Sequence, residues 1–299
     1  MNIFFILLFS ITPLYSQRIS RAMHSGVLTF PMVGIGTYKM KKAAIFSAAY
    51  KGFVLFDTAK VYETEEAAGE MIQEISRDRL IIITKLARVH LSDLKTFRDA
   101  IEDSIKKLGS IPDFFLIHSP YRDVPILAVA RALEMMKQEG IIKEWGVSNF
   151  ELEHLDFLLQ HNLRPAINQV EYHPFFQRPD LLKFCKQHNI ILQAYRPIVR
   201  GKALEHPTIQ HLAQQYKVDP AVIIYNWLLQ QEIPFVTTVN SDIHQDILVN
   251  AELITFTSEE MASISALHEP GEAGRTCMKD DWFGPFTEDV RNAWREEFS

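Results

Sequence analysis

Four side chains of complementary chemistry stand at or just beyond the ends of short apolar runs in the first half of the chain. Asp57 closes the run Phe53-Val54-Leu55-Phe56, and Tyr62 follows it in a polar turn. Lys85 comes directly after Leu80-Ile81-Ile82-Ile83-Thr84, His118 after Asp113-Phe114-Phe115-Leu116-Ile117, and the pair Ser148-Asn149 after Trp145-Gly146-Val147. A carboxylate and an amine can hold each other in a fixed ion pair, and a phenol and an imidazole can hold or hand over a proton beside a reacting oxygen. Brought together, these types equip a proton-transfer site. Each alone has a quieter use: Asp57 and Lys85 as a structural ion pair, Tyr62 as a half-buried aromatic, His118 as a scaffold residue and Ser148-Asn149 as a helix cap. Their ordered joint occurrence favours the functional use.

The elements that must position them follow from the hydrophobic pattern. Short apolar runs bounded by polar turns are strands buried on both faces, and parallel strands of that kind need helices between them. Strands are expected over residues 32–36, 53–57, 80–84, 114–117, 142–147, 166–170, 190–194 and 235–238. Helical spacing fills the gaps, for example Ala67, Ala68, Met71, Ile72 and Ile75 on one face, and Leu94, Phe97, Ile101, Ile105 and Leu108 on another, capped by Ser92 and stopped by Gly109. Two additional helices are expected at 220–231 and 258–267. Eight strand–helix units can close a sheet with no exposed edge, so the reading is a (β/α)8 TIM barrel with two extra helices and a carboxy-terminal loop. An open doubly wound sheet would carry a Gly-x-Gly-x-x-Gly turn, whereas Gly34-Ile35-Gly36 lacks the third glycine. In such barrels function gathers at the carboxyl ends of the strands, where the four residues lie.

Composition narrows the classes. The 299 residues suit one barrel domain, here 17–299, with 47% hydrophobic content for a full core. A net charge of -6 with no basic block excludes a nucleic-acid surface of the usual kind. Two cysteines, Cys185 and Cys277, are too few for a disulfide scaffold or a metal site, and two buried free thiols are expected. Residues 1–16 form a signal-like leader: an apolar run followed by small residues, but with no Lys or Arg ahead of it. The run is too short for stable membrane insertion. The protein would be secreted if this leader acts as a signal.

The motifs Gly34-Ile35-Gly36-Thr37-Tyr38, Asp57-Thr58-Ala59 with Tyr62, Ile83-Thr84-Lys85, Leu116-Ile117-His118-Ser119-Pro120, Gly146-Val147-Ser148-Asn149-Phe150, Asn168-Gln169-Val170-Glu171-Tyr172-His173-Pro174 and Ala194-Tyr195 together resemble the aldo-keto reductases, from about residue 26 to residue 267. The resemblance implies NADPH-dependent reduction of small aldehydes or ketones to alcohols, by a monomeric and cytoplasmic enzyme. Tyr62 would then be the general acid. Lys85 would lower its pKa by favouring the phenolate, Asp57 would orient Lys85, and His118 would be a neutral imidazole donating to the carbonyl oxygen. Ser148, Asn149 and Gln169 would hold the nicotinamide carboxamide and Tyr195 would stack on the ring. Thr37, Asp57, Arg196, Thr238 and His244 complete the implied cofactor set, and Tyr38, His118 and Trp282 the substrate set.

The chain also departs from the family pattern. It is several residues shorter between Tyr38 and Gly52, and Arg196 stands where a serine is usual. Arg200 and Lys202 are expected to compensate as phosphate partners. The 2'-phosphate site lacks its usual Lys and Arg, with Thr238, Val239 and His244 there instead, so NADH is not excluded. Trp282 and Phe283 would either wall the pocket or pack with the tail on the barrel exterior. A non-enzymatic alternative is a sensor or scaffold that binds the cofactor with negligible turnover.

Overall fold

The computed structural model describes residues 23–25, 28–277 and 285–298. The leader expected over residues 1–16 and the substrate contact expected from Trp282 lie outside the described residues. Eight parallel strands close a barrel: β3 (Val33–Gly36), β4 (Leu55–Asp57), β5 (Ile81–Leu86), β6 (Phe114–Ile117), β7 (Glu144–Ser148), β8 (Ile167–Glu171), β9 (Ile191–Tyr195) and β10 (Phe235–Thr237), with β10 pairing back onto β3. They are preceded by a small antiparallel hairpin, β1 (Met23–Ser25) and β2 (Leu28–Phe30), which the hydrophobic pattern did not suggest.

Alternation along each strand builds two cores. Leu55, Ile83, Phe114, Leu116, Ile167, Ile191 and Val236 form one cluster, while their neighbours Phe56, Ile82, Phe115, Ile117, Leu192 and Phe235 belong to the larger cluster that includes the helices. Phe30, at the end of β2, joins the smaller cluster and meets Phe114 edge-on with ring centroids 5.8 Å apart. It fills the amino-terminal end of the barrel, so the open end is the one bearing the strand carboxyl termini. Register then levels the site: Gly36 pairs with Asp57, Ser148 with Gln169 and Glu171 with Tyr195.

Both extra helices are present, at Pro220–Gln230 and Ser258–Ser265. Two local expectations need correction. Asp93, rather than Ser92, caps Leu94–Leu108: its carboxylate accepts the Thr96 amide at 2.8 Å, a stronger acceptor at a helix amino terminus than a neutral hydroxyl. The helix does stop at Gly109, which is left-handed with φ 62°. The tail is more than a loop. Its helix Glu288–Arg295 packs on the barrel exterior against Ile126–Gln138, burying Phe286, Val290 and Trp294. Trp294 donates its indole N–H to Tyr121 O at 2.8 Å and lies 4.7 Å from the Phe286 ring. No helix among the described residues is long and apolar enough to cross a membrane.

Because Trp294 is fully buried and carries the tail's docking, Trp294→Ala should destabilise the fold by about 3–5 kcal/mol. Urea unfolding of the two proteins measures it.

Candidate active site

A cavity of about 800 Å³ opens at the carboxyl ends of the strands. Asp57, Tyr62, His118, Ser148, Asn149, Gln169, Tyr195, Arg196 and Thr238 all lie on its wall, joined by Tyr38, Arg200 and Cys277. Residues scattered from 38 to 277 in sequence thus meet at one rim. Lys85 lies behind this wall, and the structure does not bring Thr37, Lys202 or His244 onto it. Thr37 is buried with its hydroxyl donating to Asp57 O at 3.1 Å and paired with the Thr64 hydroxyl at 2.8 Å. It braces the end of β4 instead. Lys202 sits over the Phe175 ring, 5.8 Å from its centroid. His244 is exposed in the first turn of the helix Asp242–Asn250.

The deepest feature is an ion pair. Lys85 donates from Nζ to both carboxylate oxygens of Asp57 at 2.7 Å and to Thr58 O at 2.9 Å, and its side chain is wholly inaccessible. All three ammonium hydrogens therefore have acceptors, which a buried cation requires. Burial lowers the Lys85 pKa, with Asp57 acting in the opposite direction. The ammonium lies 5.0 Å from the centroid of the Tyr62 ring, so it faces the phenol's π cloud.

At the cavity wall the Tyr62 hydroxyl stands 3.4 Å from His118 Nε2. The sequence-based expectation that Lys85 lowers the Tyr62 pKa is not met. Burial raises it well above the ordinary value, Asp57 and Cys277 add to the rise, and only Arg196 opposes them. The reason is that Asp57 largely neutralises Lys85, leaving desolvation of the phenolate as the dominant effect. Burial, then the positive Lys85, lowers the pKa of His118 to about 3, so the imidazole is neutral. Its Nδ1 is buried without a partner. A proton on Nε2, facing Tyr62 and the cavity, avoids burying an unpaired N–H there.

A polar floor continues from this pair. Asn149, in the left-handed conformation with φ 66°, donates to His118 O at 3.0 Å and to Ser148 Oγ at 3.1 Å. The Tyr195 hydroxyl donates to Asn149 Oδ1 at 2.7 Å, and the Ser148 hydroxyl to Gln169 O at 2.8 Å. Gln169 Nε2 donates to Asp57 Oδ1 at 2.7 Å and to Gln193 Oε1 at 2.8 Å.

Among the residues with no site role in the sequence reading are Gln193 and Glu171. Both are fully buried. Each sits two residues from a recognised position on the same strand, Tyr195 and Gln169, so strand alternation was the available signal. Glu171 accepts the Thr276 amide at 3.0 Å and the Cys277 amide at 2.9 Å, drawing the chain's later segment to the rim. Hydrogen bonds from His173, Thr276 and Cys277 outweigh its desolvation, so its pKa is lowered. Arg196, left-handed with φ 55°, donates to Thr276 O at 3.0 Å and so joins the segment at Thr276 to the loop after β9. Cys277 was expected to be buried; it is half-buried at the cavity, while Cys185 is buried as expected, and both are free thiols.

The comparisons with known proteins agree with this arrangement. The chain is 32% identical over 263 residues to a glyoxal reductase of Bacillus subtilis (strain 168), covering 84% of this chain and 94% of that one. It is 32% identical over 266 residues to a 9,11-endoperoxide prostaglandin H2 reductase of Trypanosoma cruzi (strain CL Brener), covering 84% and 92% respectively. The solved structure of a putative 2,5-diketo-D-gluconic acid reductase B superposes with a TM-score of 0.82 at 26% identity, covering 90% of this chain and 98% of that one. The model of the Aldo/keto reductase family matches residues 36–269, so the chain belongs to that family and is a nicotinamide-dependent oxidoreductase acting on carbonyl chemistry.

Proposed function

We propose that this protein reduces small aldehydes or ketones to alcohols with NADPH, using Tyr62 as the general acid. The observation that carries the reading is the meeting of the Tyr62 hydroxyl and His118 Nε2, 3.4 Å apart, on the wall of the cavity that also presents Ser148, Asn149, Gln169 and Tyr195. The names of the glyoxal reductase and diketo-gluconic acid reductase relatives point to small carbonyl compounds as the substrate class.

The residues present fit a nicotinamide dinucleotide. The cavity is large enough for an extended ligand, Tyr195 offers an aromatic face, and Arg196 and Arg200 offer cations to phosphates. Asp57 is the sole carboxylate among the described lining residues, and it is already paired with Lys85. Among the described lining residues no free acid would repel a 2'-phosphate, which leaves room for NADPH. The bound cofactor would supply the hydride to the carbonyl carbon.

The chain's own groups do the rest. A carbonyl oxygen lodged between Tyr62 and His118 receives a hydrogen bond from each. His118 donates from Nε2 and stays neutral, stabilising charge as it grows on the oxygen. Tyr62 gives up its proton to the emerging alkoxide, leaving a phenolate beside the Lys85–Asp57 pair. Asp57 keeps Lys85 charged and directed.

Tyr62→Phe is expected to cut turnover by about 10²–10⁴-fold while leaving cofactor affinity within about twofold, since only the proton is removed. Unaltered turnover in a steady-state assay with an aldehyde panel and NADPH would remove Tyr62 from the acid role, and negligible wild-type turnover across that panel would favour a sensor or scaffold. The pH profile has a worked sign. Reduction needs Tyr62 protonated and His118 neutral; the first holds below a pKa raised well above its ordinary value and the second above about 3. The kcat for reduction should therefore be flat from about pH 5 to 9, without the inflection near 6.5 of an ordinary histidine. A third expectation concerns the ion pair. Asp57→Leu strands the buried Lys85 charge and should destabilise the protein by about 3–5 kcal/mol, whereas Asp57→Leu with Lys85→Met should restore much of the loss in urea unfolding.

A further inference from the structure

The cavity differs in charge from the rest of the molecule. The chain as a whole bears a net charge of -6. Among the described residues on the cavity wall, however, are the cations Lys39, Arg88, Arg196 and Arg200, against one carboxylate, Asp57, that Lys85 already neutralises. Arg196 and Arg200 belong to the loop after β9, where the cofactor reading puts phosphates. The other two stand elsewhere. Lys39 follows β3 and Arg88 follows β5, so they flank β4, the strand that leads to Tyr62. Neither has a part in the cofactor site or in the proton transfer.

Arg88 is carried on a fixed turn. The Ala87 N–H donates to His90 Nδ1 at 3.1 Å, and the His90 N–H donates to Ala87 O at 2.8 Å, which closes the one-turn helix Arg88–His90. Tyr121, buried on the cavity wall, accepts a hydrogen bond from the Arg88 backbone through its hydroxyl. The guanidinium itself is exposed and pairs with Asp123, an exposed carboxylate that is not among the described wall residues. An ion pair this wet holds weakly, and a guanidinium has five donors, so a second carboxylate can share or take the fork at little cost. Between Lys39 and Arg88 the wall is apolar and open to water: Tyr38, Val61 and Val89 are all exposed there. Tyr38 lies against the Tyr62 ring, with centroids 5.0 Å apart, and the Lys39 ammonium sits 5.3 Å from the Tyr38 ring centroid. Apolar side chains gathered at a cavity mouth and edged by charge mark a surface that a ligand covers.

We propose that the substrate is a carbonyl compound with a carboxylate beyond an apolar body: the body lies on Tyr38, Val61 and Val89, and Arg88, supported by Lys39, binds the carboxylate. This rests on the carbonyl-reduction reading above. It adds the charge of the substrate and the residue that recognises it. Arg suits the task because its planar fork meets both oxygens of a carboxylate.

The test compares 3-(4-formylphenyl)propionate with its methyl ester, using the full chain and NADPH in excess. The two are alike in shape, and the saturated spacer insulates the aldehyde from the difference in charge. The acid should be reduced with a kcat/KM about tenfold higher, as one charge-assisted contact would give. The gain should lie in KM, because the carboxylate contact is the same before and during hydride transfer. Arg88→Gln should bring the acid-to-ester ratio down to about twofold or less, and Lys39→Gln should lower it about two- to threefold. Equal kcat/KM for acid and ester in the wild-type protein would overturn the proposal and leave carbonyl reduction standing. So would failure with the acid while the ester or other aldehydes are reduced. Failure with every aldehyde would overturn the reduction reading and the proposal with it. An acid preference that survives Arg88→Gln undiminished would overturn the role of Arg88.

Discussion

Everything at the rim depends on an ion pair taken out of water. Lys85 is wholly inaccessible and Asp57 nearly so, which would be prohibitive for either charge alone. Desolvation is compensated because each remaining ammonium hydrogen and each carboxylate oxygen finds a partner: Thr58 O on one side, Gln169 Nε2 on the other. The pair is therefore a fixed point from which two chains of contact start. One runs through the Tyr62 ring to His118; the other runs through Gln169 to Gln193. Such a pair contributes little net stability, yet it can specify a single arrangement of the groups around it, and here those groups line the cavity.

Barrel closure makes that fixed point usable. Asp57, Lys85, Gln169 and Gln193 sit on β4, β5, β8 and β9, and only a closed sheet brings the first two opposite the last two. Below them the interior is filled by Leu55, Ile83, Leu116 and their neighbours, with Phe30 at the far end. Water therefore reaches the polar layer from one side only. The later part of the chain narrows that side, since Glu171 holds the Thr276 and Cys277 amides and Thr276 holds Arg196. The loop after β9 is left-handed at Arg196, Val199 and Arg200, which for the β-branched Val199 is a conformation of high energy.

Much of this was legible in the sequence. All eight strands and both extra helices announced themselves because a strand buried on both faces is a short apolar run, and a helix covering it repeats its apolar residues every three to four positions. Asp57, Tyr62, Lys85 and His118 stood out because polar groups at the ends of such runs are expensive unless they are used. The losses have physical causes. Helix capping at Asp93 rather than Ser92 turned on a difference of one residue in which both types are acceptable caps. Gln193 hid because a neutral amide inside a strand looks like an ordinary exposed position, until the parity shared with Tyr195 is noticed. The hairpin ending in Phe30 is too short to show periodicity. Thr37 carries the right hydroxyl in the right motif, but whether that hydroxyl faces a ligand or the backbone of the neighbouring strand is decided by a turn of the chain that no pattern records.

The error about Tyr62 is the more instructive one. An isolated ammonium beside a phenol lowers its pKa, and the sequence contained both. It also contained the carboxylate that cancels the ammonium, and the burial that penalises any phenolate, and together these win. A tightly held proton does not disqualify the phenol as an acid on the proposed mechanism. The recipient is an alkoxide, a much stronger base than any phenolate, so transfer remains downhill even from a raised pKa. What the raised pKa alters is the reverse direction, in which a phenolate must exist before an alcohol can be deprotonated. At neutral pH the resting site holds almost none. On the proposed mechanism carbonyl reduction therefore starts from the resting protonation state, whereas alcohol oxidation needs the phenol deprotonated first.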